Sequence, residues 1–119
     1  MRQLLQVLGV ILIIVGLIGF VNNPILGLFA VNGLHNIIHI VTGAALLYAG
    51  LQGGATLRLI SQIFGVVYLL VFILGLVAPA VLNAIIPNNA PDTALHALLA
   101  LVLLYIGFTA PQRLAAPRA

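Results

Sequence analysis

Residues 31–43, VNGLHNIIHIVTG, place two asparagines and two histidines inside a strongly apolar stretch. These polar residues are Asn32, His35, Asn36 and His39. Because they recur at spacings of three and four positions, they share one face if the segment is helical. Amide and imidazole side chains form hydrogen bonds, and a neutral imidazole also binds transition metals. The spacing therefore predicts a buried polar cluster that either holds helices together or binds a ligand.

The composition indicates the solvent that surrounds this segment. Of 119 residues, 64% are hydrophobic and 4% are charged, and the mean hydropathy is +1.33. Soluble domains carry about 25% charged residues, because their surfaces face water. The composition therefore predicts an integral membrane protein in contact with the lipid bilayer. The absence of cysteine excludes disulfides and thiolate metal sites, and four scattered basic residues form no stripe that could bind nucleic acid.

The apolar runs predict four transmembrane helices, at residues 4–21, 33–52, 57–77 and 92–110. They are separated by Asn-, Gly- and Pro-rich breaks: NNP, QGGATLR and PNNAPD. We therefore expect an all-α fold, a four-helix transmembrane bundle that forms one domain over residues 1–119. Its last residues, 111–119, are predicted to be a mobile cytoplasmic tail.

The charged residues predict the orientation of these helices. With four spans, Arg2, Arg58, Arg113 and Arg118 all lie on one side, and Asp92, the one acidic residue, lies on the other. Since basic residues are retained in the cytoplasm, both termini are expected there, in a multi-pass protein of the bacterial inner (plasma) membrane.

The two halves of the sequence, about 4–53 and 57–110, match each other. The aligned pairs are Gly9 and Gly65, Val15 and Val71, Gly19 and Gly75, Asn32 and Asn89, His39 and His96, Tyr48 and Tyr105, and Gly50 and Gly107. This indicates a duplicated two-helix hairpin. Because each half has an even number of spans, the repeats should have the same orientation. Segments that begin at Pro24 and Pro79 connect the helices of each half and are predicted to be short interfacial helices.

The repeat extends the predicted site into the second half. A two-fold arrangement brings His39 towards His96 and Asp92 towards His35 or Asn36, and Tyr68 approaches from the middle of the third span. The full predicted cluster is Asn32, His35, Asn36, His39, Asn89, Asp92, His96 and Tyr68. Glycines are expected to let the helices pack closely: Gly9, Gly16, Gly19, Gly43, Gly50, Gly65, Gly75 and Gly107.

The motif VNGLHNIIHIVTGAALLYAG resembles the second helix of a family of small bacterial membrane proteins, a four-helix domain of unknown function. The family pattern is an Asn followed by HNxxHxxxG, with a second polar motif of an acid or Asn and then a His in the fourth helix. Asn89, Asp92 and His96 match that second motif, whereas Thr93 and Ala100 depart from it. The resemblance implies a four-helix inner-membrane protein and carries no assigned activity.

Three functions remain open from the sequence. The first is a non-enzymatic membrane protein, such as an accessory subunit or a bundle that oligomerises through Gly and Ala faces, in which the cluster only forms hydrogen bonds. The second is a protein that binds haem, a chlorin or a metal through His39 and His96, with His35 and Asp92 in support. The third is a proton or ion conduit, which the apolar face below His39 (Gly43, Leu46, Leu47 and Gly50) disfavours.

Overall fold

The computed structural model describes residues 1–22, 27 and 31–111. Its helices are α1 (Arg2–Gly19), α2 (Gly33–Gln52), α3 (Gly54–Val77), α4 (Pro79–Asn83) and α5 (Ala90–Thr109). All except α4 are long and apolar enough to cross a membrane. The predicted all-α fold with four spans is confirmed, and each predicted boundary lies within three residues of the observed one.

Of the two Pro-led connections, the second lies entirely within the described residues. The second contains α4, with Pro79 in its first turn, where the missing N–H is no loss because that group has no partner within the helix. Most of the first connection, which starts at Pro24, lies outside the described residues. So does the predicted tail beyond residue 111.

Helices α1 and α2 form a close antiparallel pair because glycines face each other. A Cβ added to Gly9 would lie 2.6 Å from the carbonyl oxygen of Gly43, and one added to Gly43 would lie 2.5 Å from that of Gly9. A side chain at either position would therefore force the backbones apart. The predicted packing glycines at this contact are Gly9, Gly16, Gly19, Gly43 and Gly50.

Polar side chains at the start of α1 bind the end of α2. Arg2 Nε and Gln6 Nε2 each donate to the carbonyl oxygen of Gly50, at 3.0 Å. The last carbonyl groups of a helix lack partners within the helix and carry partial negative charge, so a guanidinium and an amide there stabilise the pair.

Helices α3 and α5 pair in the same antiparallel way. Gly65 lets α5 approach, and Gln62 Nε2 donates to the carbonyl oxygen of Gly107 at 2.7 Å. Arg58 donates to the carbonyl oxygen of Ala110. Arg2 and Arg58 thus lie at the same end of the bundle, which we call the arginine end; α2 and α5 begin at the opposite end.

The two helix pairs join through long apolar side chains, with α2 beside α3. The buried core comprises Leu5, Leu12, Leu46, Ala49, Leu57, Tyr68, Leu99, Ala100, Leu103, Ile106 and Ala110. The outward faces are also apolar, as Leu17, Leu70 and Leu101 show with exposed fractions of 57%, 56% and 70%. Apolar surface of this kind on spanning helices contacts lipid.

Candidate functional site

Asn32 begins α2 and does not enter the group of buried histidines. Its side-chain oxygen accepts from the backbone N–H of His35 at 2.8 Å, which is the bond of an N-cap residue. Its amide nitrogen donates to the carbonyl oxygen of Ile85 at 3.4 Å and so connects the two halves of the chain. Asn32 is therefore placed as a structural residue at the rim of the site.

Asn89 and Asp92 form a capping box at the start of α5. The Asn89 side chain accepts from the Asp92 N–H at 3.0 Å, and Asp92 Oδ2 accepts from the Asn89 N–H at 3.1 Å. The spacing of three residues between a capping residue and an acid was the signal for this role in the sequence. Asp92 is fully buried and lies one turn before His96 on the same helix.

Three histidines converge between α2 and α5. The ring centroids of His35 and His39 are 4.4 Å apart, and those of His35 and His96 are 5.9 Å apart. One nitrogen from each ring can be chosen so that all three lie within 4.8 Å of one another, and all three residues are 1% exposed. Asp92 is not a member of this group. The predicted approach of His39 to His96 is thus found, with His35 as the third member.

Two imidazoles of this group, those of His39 and His96, have ring nitrogens that are not hydrogen-bonded to any described residue. Among the residues that the structure describes, neither ring nitrogen of His39 has a hydrogen-bond partner, and neither has Nδ1 of His96. An unsatisfied buried nitrogen is costly in hydrocarbon, and these atoms are available to bind a ligand. His39 and His96 each lie six residues after the first residue of their helices, Gly33 and Ala90. They are therefore about 9 Å along the axis from the helix start.

Tyr68 reaches the histidines from α3, as predicted, and binds a residue that the sequence reasoning missed. Its ring centroid is 5.8 Å from that of His96, and its hydroxyl donates to Thr42 Oγ1 at 3.0 Å. Thr42 follows His35 and His39 at spacings of seven and three, so the helical period placed it on their face.

Asn36 is directed away from the histidines. A Cβ added to Gly19 would lie 1.9 Å from Asn36 Oδ1, so the amide packs against α1. Gly43 and Gly50 lie on the same α1-facing side of α2. The predicted single polar face is therefore two adjacent stripes, one facing α1 and one facing α3 and α5.

A cavity of about 130 Å³ adjoins the three histidines. Besides them, its lining consists of Ile38, Thr42, Phe64, Val67, Tyr68, Val71 and Ile86. This lining contains no carboxylate, serine or cysteine. The lining thus offers imidazole nitrogens and two hydroxyl groups as its polar side-chain atoms, and the three imidazoles are close enough together to hold one metal ion.

A family described as Domain of unknown function (DUF4383) matches residues 2–109. The chain belongs to this family. The match covers all four spans of this DUF4383 protein, including the three histidines. Comparisons with curated proteins and with solved structures found no match.

Proposed function

We propose that this DUF4383 protein is a non-enzymatic integral membrane protein that binds one first-row transition-metal ion through His35, His39 and His96. The observation that carries the proposal is the convergence of three buried imidazoles beside a cavity, with no hydrogen-bond partner among the described residues for either ring nitrogen of His39 or for Nδ1 of His96. Imidazole suits zinc, copper, iron and nickel, and three histidine ligands with one open position form a known type of metal centre.

The surroundings support a metal ion over a larger cofactor. The cavity volume is about 130 Å³, whereas pockets for drug-sized molecules begin at about 300 Å³. Haem and chlorin rings are at least that large, and three clustered imidazoles do not leave the space between them that a ring needs. The size of the cavity therefore disfavours the cofactors considered from the sequence.

A conduit receives no support from the described residues. Leu46, Leu99 and Leu103 are at most 1% exposed and fill the core on the arginine side of the histidines. A proton or ion path would need polar groups or water at that depth.

We propose further that both termini and Arg58 lie in the cytoplasm of a bacterial cell and that the histidines lie near the outer face of the plasma membrane. Support comes from the common position of Arg2 and Arg58 at one end of the bundle. The shared use of Arg and Gln at the ends of both helix pairs also supports a duplicated hairpin. Oligomerisation through glycine faces is disfavoured, since Gly9 and Gly43 pack within the chain.

The first experiment is metal analysis of the protein in mild detergent, purified with an affinity tag that contains no histidine. The chain has three histidines, so every imidazole signal comes from this centre. We expect about one metal ion per chain and, after exchange into Co(II), visible bands of a nitrogen-ligated ion. His39→Ala should raise the metal Kd by more than about 100-fold, because even outer partners of metal ligands contribute roughly 10- to 100-fold.

The matched control is Asn32→Ala. It removes the α2 cap next to the site and lowers stability by about 1 kcal/mol, but it leaves every ligand atom in place. Metal binding should survive in this variant and be lost in His39→Ala. A folded wild-type protein that binds neither native metal nor Co(II) would show instead that the histidines serve only helix packing.

A further inference from the structure

The cavity beside the histidines reaches the outer surface of the helix bundle between α2 and α3. Two of its lining residues, Ile38 of α2 and Val67 of α3, are 36% and 46% exposed. Both lie within spanning helices, where an exposed apolar side chain faces hydrocarbon. The cavity therefore joins the histidine centre to the interior of the bilayer.

The path from the arginine end is closed by packed side chains. Leu46 and Leu103 are fully buried, and Leu99 is 1% exposed, so the core below the histidines offers apolar side chains and no polar partners for a chain of water molecules. On the side of α4, Ile86 lines the cavity and is 6% exposed. Among these cavity-lining and core residues, the exposed ones, Ile38 and Val67, lie on the lateral side between α2 and α3.

The cavity selects for small molecules. Its volume of about 130 Å³ is less than half of the roughly 300 Å³ at which pockets for drug-sized molecules begin. A diatomic molecule fits this space, whereas a lipid or quinone headgroup with its chain does not. Ile38, Phe64, Val67 and Val71 make the approach apolar, which favours a neutral molecule that dissolves in hydrocarbon over a hydrated ion.

The charges of the side chains around the centre restrict the charge of the metal ion that it can hold. Three neutral imidazoles leave the full charge of the ion in a medium of low dielectric, where uncompensated charge is costly. Asp92 is the one acidic residue of the chain and lies buried one turn from His96. A single carboxylate balances a univalent ion, so copper(I) is the ion of the imidazole-binding set whose charge is matched.

We infer that the centre, once it holds copper(I), binds a diatomic gas molecule that arrives through the hydrocarbon between Ile38 and Val67. This inference rests on the metal binding proposed above. Binding forms one coordinate bond from a lone pair of the gas molecule to the copper ion, and no electron or proton is transferred. Tyr68 and Thr42, whose hydroxyl groups are hydrogen-bonded to each other, line the cavity that the gas molecule would occupy.

Carbon monoxide is the probe for this inference, because it binds copper(I) without redox chemistry. The protein is placed in lipid nanodiscs, reduced, loaded with one copper(I) per chain and exposed to CO. We expect an infrared band of copper-bound CO that shifts with isotopic label. After flash photolysis, Val67→Trp should slow the CO-concentration-dependent phase of rebinding by about tenfold, equal to about 1.4 kcal/mol in the barrier to entry. The copper content should be unchanged.

Val66→Trp is the control, since Val66 is 45% exposed on the same helix but does not line the cavity. It should rebind CO at the wild-type rate. Ile38→Phe, on the opposite wall, replaces Val67→Trp if that variant does not fold. A protein that binds Co(II) but no copper(I) overturns this inference alone, whereas a protein that binds neither ion contradicts the proposed function itself. Copper without a CO band overturns this inference alone, and a band with equal rates in both tryptophan variants overturns the lateral path.

Discussion

Tyr68 and Thr42 form a buried hydroxyl pair that connects α3 to α2 beside the histidines. Tyr68 is 3% exposed and Thr42 is 2% exposed, and their oxygens are 3.0 Å apart. Because neither hydroxyl has access to bulk water, the bond also prevents two unsatisfied polar groups in an apolar core. The pair thus fixes the position of the aromatic ring next to His96.

Tyr68→Phe should lower the free energy of unfolding by about 0.5–1.5 kcal/mol, since it leaves the Thr42 hydroxyl without its donor. Thermal unfolding in detergent measures the change. Tyr48→Phe is the control, because Tyr48 is 54% exposed and should change stability little. In Tyr68→Phe combined with Thr42→Val, part of the loss should be recovered, since both polar groups are then removed. Equal stability of Tyr68→Phe and the wild type would contradict this account.

At the scale of elements, the α1–α2 pair depends on backbone contact. Gly9 and Gly43 have no room for a Cβ, whereas a Cβ at Gly33, in the first turn of α2, would meet no atom within 4 Å. Gly9 and Gly33 are both helical, so replacement by alanine gains helix propensity, up to about 1 kcal/mol in the interior position of Gly9 and less at Gly33, the first residue of α2. Because propensity favours alanine more at Gly9 than at Gly33, a lower stability of Gly9→Ala than of Gly33→Ala must come from packing.

Gly9→Ala should destabilise the protein by about 1–3 kcal/mol, because the added methyl group separates two closely packed helices. Gly33→Ala should be neutral or stabilising. The comparison is made by unfolding in the same detergent, with helix content checked by circular dichroism. If the two variants had equal midpoints, the α1–α2 contact would not be a close backbone contact.

At the scale of the whole molecule, the described helix ends divide into two sets. Arg2, Arg58 and the end of α5 lie at the arginine end, as the bond of Arg58 to the Ala110 carbonyl shows. The contact of Asn32 with Ile85 lies at the opposite end of the bundle. This division agrees with an even number of crossings, and the proposed orientation adds which end faces the cytoplasm.

The orientation can be measured with single cysteines, because the chain contains none. A membrane-impermeant maleimide added to sealed spheroplasts should label Ala84→Cys and should leave Gln3→Cys and Ala55→Cys unlabelled. All three positions are exposed in the structure. Permeabilised cells provide the control, in which all three should react. Labelling of Gln3→Cys in sealed cells would reverse the orientation.

The sequence by itself determined the four spans and the approximate depth of the polar residues. Long apolar runs, Gly and Pro breaks and the fixed rise of a helix depend only on local residues and on the thickness of a bilayer. The three-residue spacing of Asn89 and Asp92 also indicates their capping role, because a capping box depends only on residues within one helical turn.

Only the tertiary structure decided which polar side chains meet. His39 and Asn36 lie three residues apart, yet one faces His96 and the other packs against Gly19. Helix α2 has α1 on one side and α3 on the other, so a small rotation about its axis assigns each polar residue to a different neighbour. That rotation is set by glycine contacts and leucine packing between helices far apart in the chain. The three-histidine centre exists because those contacts bring α2 and α5 together.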